Sequence, residues 1–350
     1  MKQRIFYFDL LRVFAAICVI VIHVAGPYQA GTSPESVDFI ISNIFNSITH
    51  ASVPLFVMIS GSFMLDEKRQ ISTKQFLKKY VLNIAILLVV WTSLYTLKTI
   101  GMSILRSESY SLKDFLEDFL LADGGLHLWY LYMIIGLYLI TPILKLFVCE
   151  KNKNKVLYLI IILSIFTFIP SMLNAFNNEY VNIFSSLFSK IGLNAGAYIA
   201  YYLLGWYLAN FQLQKKHRIL IYILGFLGLL YTILVGQFVS MAEGTIAENV
   251  YKVTALHLFF YSASLFILFK QLFQNTKPSK FTSFISHLSK LSFGVYVIHL
   301  VVISVFTRIV PDNVFILVKL ILVSLATTVT CFLVSFIISK IPLIKKLIRG

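Results

Sequence analysis

FYFDLLRVFAAICVIVIHVAG, residues 6–26, decides the fold. At a rise of about 1.5 Å per residue, some 20 apolar residues cross the roughly 30 Å hydrocarbon layer of a bilayer. This stretch has that length, yet it carries three ionisable side chains, Asp9, Arg12 and His23. Lys2 and Arg4 stand before it, as they would before a secretory leader. Asp9 and Arg12 interrupt it too early for a leader's apolar core, so it reads as a first permanent span.

Further apolar runs follow. They predict spans near 5–25, 42–65, 80–100, 127–148, 156–172, 196–211, 219–239, 253–272, 289–308 and 314–339, the fifth being short and ended by Pro170. With 58% hydrophobic and 13% charged residues, and a mean hydropathy of +0.83, the 350-residue chain lies far from soluble composition. The runs are continuous rather than alternating, which excludes a β-barrel. The expected architecture is an all-α polytopic bundle of about ten transmembrane helices forming a single membrane-embedded domain over residues 1–350.

The charges fix the expected orientation. Basic residues gather in every second connection: Lys2 and Arg4, then Lys68 to Lys79, Lys145 to Lys155, Lys215 to Arg218, Lys270 to Lys290, and Lys340 to Arg349. Acids such as Glu35, Glu108, Glu179, Glu243, Glu248 and Asp312 fill the others. The positive-inside rule then puts both termini in the cytoplasm of a cell (plasma or inner) membrane. The net charge of +15 does not imply nucleic-acid binding, because no extramembrane segment is long enough to form a basic surface. Cys18, Cys149 and Cys331 are isolated in apolar surroundings, with neither metal spacing nor a disulfide pattern. Residues 101–126 place Leu112, Phe115, Leu116, Phe119 and Leu120 at helical spacing, which predicts an amphipathic helix on the outer face. Gly192 and Gly196 have the spacing of a close helix crossing.

Ionisable groups inside a span are costly and face a bundle interior or a wet cavity. At about 100° per residue, Arg12 and His23 lie within about 20° of each other, and Asp9 precedes Arg12 by one turn. The three therefore share one stripe, with Arg12 and His23 roughly 16 Å apart along the axis. Two readings follow. In one, Asp9 and Arg12 are an interfacial ion pair and His23 marks the far interface. In the other, the stripe lines a cavity, with an anionic group held at Arg12 and a base of near-neutral pKa at His23.

The Arg12-x10-His23 spacing within FDLLR…H resembles the first span of acyltransferase family 3, the integral membrane O-acyltransferases of cell-envelope glycans. VPLFVMISGSFML (53–65), HLWYLYMIIGLYLITPIL (127–144) and LSFGVYVIHL (291–300) resemble other segments of that family, in the same order. Ile134 stands where one branch of the family has an acid, which makes the chain more like the shorter stand-alone members.

The resemblance implies transfer of an acyl group, acetyl first, from cytoplasmic acetyl-CoA to a hydroxyl of an extracytoplasmic polysaccharide or lipid-linked sugar, with no metal. Arg12 and His23 would be the essential pair, with His23 as base or transient acyl carrier and Asp9 beside them. Lys68, Arg69, Lys74, Lys78 and Lys79 would hold the CoA phosphates, although ordinary topogenic charge explains them equally. His127, Trp129 and His299 fall within family-like segments. Glu243 and Glu248 would contact the sugar or orient His23, or else be solvated loop charges. The alternative function is a glycan exporter or translocase whose path is lined by the same stripe.

Overall fold

The computed structural model describes residues 5–174, 196–342 and 344–348. Lys2, Arg4, Glu179, Gly192 and Arg349, and nearly all of the stretch 173–195, lie outside them. The described residues form helices and no strands. The helices that build the bundle are α1 (Phe6–Ala30), α2 (Val37–Thr49), α3 (Ser52–Met64), α4 (Thr73–Arg106), α5 (Trp129–Leu144) and α6 (Lys153–Asn174). They continue with α7 (Ala197–Asn210), α8 (Lys215–Glu243), α9 (Leu256–Phe273), α10 (Lys280–Ile309) and α11 (Ile316–Lys340).

Eight helical stretches, with α2 and α3 counted as one, are long and apolar enough to cross a membrane. The two shorter ones, α5 with 16 residues and α7 with 14, occupy the predicted fourth and sixth spans. The outer surface is studded with Phe226, Phe238, Leu325 and Leu333, each more than half exposed. A surface so apolar suits lipid rather than water. The chain is an all-α polytopic membrane protein.

Four boundaries differ from the sequence expectation. The second span is broken between α2 and α3 at His50 and Ala51. Pro54 is the cause, because it has no N–H to give the His50 carbonyl one turn earlier. The third span begins at Thr73 and includes a π turn, Leu77–Val81. Pro170 does not end the fifth span but sits inside α6, whose last turn runs on to Asn174. A proline removes only one amide donor, and here only four residues follow it. Residues 101–106 complete α4, and the predicted amphipathic helix shrinks to the stretch from Leu112 to Leu121, started by a Ser111–Asp114 capping box.

α7 is the core of the bundle. Tyr201, Tyr202, Leu203 and Trp206 are at most 2% exposed. It crosses α3 at backbone contact, because a methyl on Gly61 would lie 1.9 Å from the Tyr202 carbonyl oxygen and one on Gly205 would lie 2.0 Å from that of Met58. Ser62 Oγ donates to the Gly205 carbonyl at 2.8 Å across the same crossing. The far end of α7 is closed by Lys270, whose Nζ donates to the carbonyls of Leu208, Ala209 and Phe211. That answers the unsatisfied carbonyls of a helix C-terminus and accounts for a buried lysine.

α1 packs on α10, and the two run parallel. Arg12 meets Ser289, and further along both helices in the same direction His23 meets His299. The intervals, eleven and ten residues, are three turns in each helix.

Candidate functional site

Arg12 is held from two sides. Its Nη1 lies 2.9 Å from Ser289 Oγ and 3.6 Å from Asp9 Oδ1, and its guanidinium stacks over the Phe63 ring at 5.4 Å. Asp9 is 3% exposed and accepts hydrogen bonds from Ser286 Oγ at 2.6 Å and Ser289 Oγ at 2.8 Å. A buried carboxylate needs such partners, and here α10 supplies them. Asp9 therefore stands behind Arg12 and sets its position. The ion pair of the first reading exists, and it is part of an inter-helix clamp between α1 and α10.

Three turns further along α1, His23 faces His299 with ring centroids 5.0 Å apart, and His299 faces His127 at 4.9 Å. His299 is fully buried, with Nδ1 2.6 Å from the Tyr296 carbonyl. A carbonyl only accepts, so Nδ1 carries the hydrogen and the neutral ring keeps its lone pair on Nε2. His127 sits between the rings of Tyr95 and Tyr296, at 5.1 and 5.4 Å. Its backbone is pinned by Tyr296, whose hydroxyl donates to the His127 carbonyl at 2.6 Å. Neither ring nitrogen of His127 has a hydrogen-bond partner. Buried polar atoms left in this state are uncommon and mark places where packing yields to another demand.

Both clusters open onto one cavity of about 1130 Å³. At the end where α1 begins, its wall includes Arg12, Arg69, Lys290 and Lys340. At the other end it includes His23, His50, His127, Trp129 and Tyr251. Among the described residues that line it, none is a carboxylate. The first end thus presents several fixed positive charges and the other presents imidazoles and aromatic rings, so an anionic group is drawn to the first end.

Of the sequence-predicted residues, the cavity brings together Arg12, His23, His127, Trp129 and Arg69. Asp9 and His299 lie directly behind the wall. Arg69 is fixed by the Tyr80 hydroxyl at 2.8 Å. Lys68, Lys74, Lys78 and Lys79 do not line the cavity, and Glu243 and Glu248 are exposed away from it. Sequence reasoning missed Lys290 and Lys340 as wall residues, since nothing local separates them from topogenic charges. It also missed His50, for which Pro54 in the next turn was an available sign of a broken helix. Among the described residues no cluster of His, Cys, Asp and Glu could hold a metal ion.

A bundle with one cavity of largely apolar wall, positive at one end and rich in histidine at the other, defines a membrane-embedded site able to hold an extended, partly anionic ligand. The family model described as an acyltransferase domain, that of acyltransferase family 3, matches residues 5–340, and the chain belongs to that family. It is a membrane acyltransferase. No curated protein and no solved structure matches it.

Proposed function

We propose that this protein is an O-acyltransferase that takes an acyl group, acetyl first, from acyl-CoA at the basic end of the cavity. It passes the group to a hydroxyl of a polysaccharide or lipid-linked sugar at the histidine end. The observation that carries the reading is the single cavity joining Arg12 to His23. With the termini in the cytoplasm of the cell membrane, the basic end faces the compartment that holds acyl-CoA.

Arg12 and His23 stand roughly 16 Å apart along α1. An arginine side chain does not bridge that distance, so Arg12 holds a polar part of the donor and does not polarise the carbonyl under attack at His23. Arg69, Lys290 and Lys340 are placed to take the nucleotide phosphates. His23 removes the acceptor hydroxyl proton while the oxygen attacks the thioester carbonyl. Collapse of the tetrahedral intermediate breaks the C–S bond, and the proton on His23 goes to the departing thiolate. If His23 instead carries the acyl group transiently, its ring nitrogen attacks the thioester, and an N–C bond forms as the C–S bond breaks. The acceptor oxygen then displaces the imidazole, breaking that N–C bond while the hydroxyl proton passes through the freed ring to the thiolate.

The test is transfer of radiolabelled acetyl from acetyl-CoA to envelope glycan by membranes that contain the protein. Ester-linked label on the glycan, lost in His23→Ala, is the expected result. Movement of unmodified glycan across the membrane without acyl-CoA would establish a translocase instead.

A further inference from the structure

At the histidine end the cavity wall also includes His50 and Tyr251. Behind them runs a chain of side chains whose hydrogen bonds all point one way. Its direction is set at the end remote from the cavity. The Pro34 carbonyl only accepts, so Gln237 presents Nε2–H to it, at 2.6 Å. Gln237 Oε1 is left as an acceptor and takes a hydrogen from Asn43 Nδ2 at 3.2 Å. The same Nδ2 donates to the Ile233 carbonyl at 3.0 Å. Asn43 Oδ1 then accepts from the Tyr251 hydroxyl at 2.5 Å and from Ser47 Oγ at 3.1 Å.

With its proton committed, the Tyr251 oxygen accepts from Gln29 Nε2 at 2.9 Å. Gln29 Oε1 accepts from Asn46 Nδ2 at 2.6 Å. Asn46 is left with Oδ1, an acceptor, 3.2 Å from His50 Nδ1. His50 Nδ1 therefore carries the hydrogen, and a neutral ring keeps its lone pair on Nε2. Backbone carbonyls beside α8 thus decide the tautomer of a histidine on the cavity wall.

Tying α1, α2 and α8 together accounts for the buried amides Gln29, Asn43 and Asn46. It does not account for a histidine at the end of the chain, beside the cavity, at the break between α2 and α3. We propose that His50 binds the acceptor, a polyhydroxylated sugar, taking a hydrogen bond from one hydroxyl on Nε2 while a second hydroxyl lies at His23. This rests on the acyl-transfer reading. The chain keeps the His50 lone pair available for a sugar O–H, and Asn46 acts on it only as a positioning residue.

The experiment measures acceptor and donor KM in membranes, with labelled acetyl-CoA and glycan extracted from the envelope of the expressing cells. His50→Leu is expected to raise acceptor KM about tenfold, the value of one hydrogen bond of about 1.4 kcal/mol, with acetyl-CoA KM within twofold of wild type. His50→Gln, which can both donate and accept, restores most of the affinity. Asn46→Leu, which is off the cavity wall and removes the acceptor of the His50 Nδ1 hydrogen, raises acceptor KM severalfold without changing donor KM. If His50→Leu does not fold, Asn46→Leu and His50→Gln carry the test. Acceptor KM within twofold of wild type in His50→Leu, or in Asn46→Leu where only that variant folds, overturns the proposal. So does a loss confined to kcat. Wild-type membranes that transfer no acetyl overturn the acyl-transfer reading itself.

Discussion

The imidazole rings of His23 and His299 stand 5.0 Å apart, one on the first helix of the bundle and the other on the tenth. His299 is held by the Tyr296 carbonyl, and only His23 of the two lines the cavity. On the proposed reaction, His23 is the group that meets substrate and His299 the one that packs against it. His23→Ala is expected to lower acetyl transfer by a factor of about 10² to 10⁴, the usual worth of a positioned acid–base group. His299→Asn should cost much less. Transfer assays at matched protein levels check this, and equal losses in the two variants would contradict the division.

The basic end of the cavity gives a contrast between lysines. Lys340→Gln and Lys290→Gln are expected to raise acetyl-CoA KM severalfold, with an effect that shrinks as ionic strength rises. Lys74→Gln and Lys78→Gln, which do not reach the cavity wall, should leave it within twofold. Donor titration at two salt concentrations measures both. A larger effect at Lys74 than at Lys340 would return the donor phosphates to the stretch 68–79.

Asp9 has no place on the wall, yet its loss should be felt. Asp9→Ala leaves the Ser286 and Ser289 hydroxyls without their carboxylate acceptor and removes the negative charge beside the Arg12 guanidinium. That costs about 1–3 kcal/mol of stability for buried groups left unpaired, and donor affinity falls with it. Thermal unfolding in detergent, together with acetyl-CoA KM, reads the two effects. Wild-type values for both would remove Asp9 from the clamp.

The crossing of α3 and α7 tolerates no side chain. Gly61→Ala puts a methyl 1.9 Å from the Tyr202 carbonyl oxygen, and Gly205→Ala is its mirror case against Met58. Each should destabilise by at least about 1–3 kcal/mol, as overpacking does, or prevent accumulation of folded protein. Gly136→Ala meets nothing within 4 Å and serves as the comparison. Equal melting curves for Gly61→Ala and Gly136→Ala would refute the close approach.

What the sequence disclosed follows from periodicity. Asp9, Arg12 and His23 sit on one helix, so a spacing of three and eleven residues was enough to put them on one stripe. Hydropathy placed the helices for the same reason. The convergence of Lys290 and Lys340 on Arg12 depends instead on how α10 and α11 pack around α1, and no local pattern encodes that. The amides Gln29, Asn43, Asn46 and Gln237 come from three separate helices, and each alone is an ordinary polar residue. His50 was hidden by a span that looked continuous until Pro54 was placed in the turn that follows it.

The parallel pairing of α1 with α10 makes the first helix a molecular ruler. Its backbone rise fixes the distance from the arginine clamp to the histidine pair, and the clamp at Ser289 keeps that scale from sliding. On the proposed reaction, donors would then be gauged by the length between their charged end and their reactive carbon. A single residue inserted between Arg12 and His23 would also turn the imidazole by about 100° away from the cavity. Selectivity for one thioester carrier over a shorter or longer one would thus reside in the count of residues in a helix, with no pocket shaped to the acyl chain required.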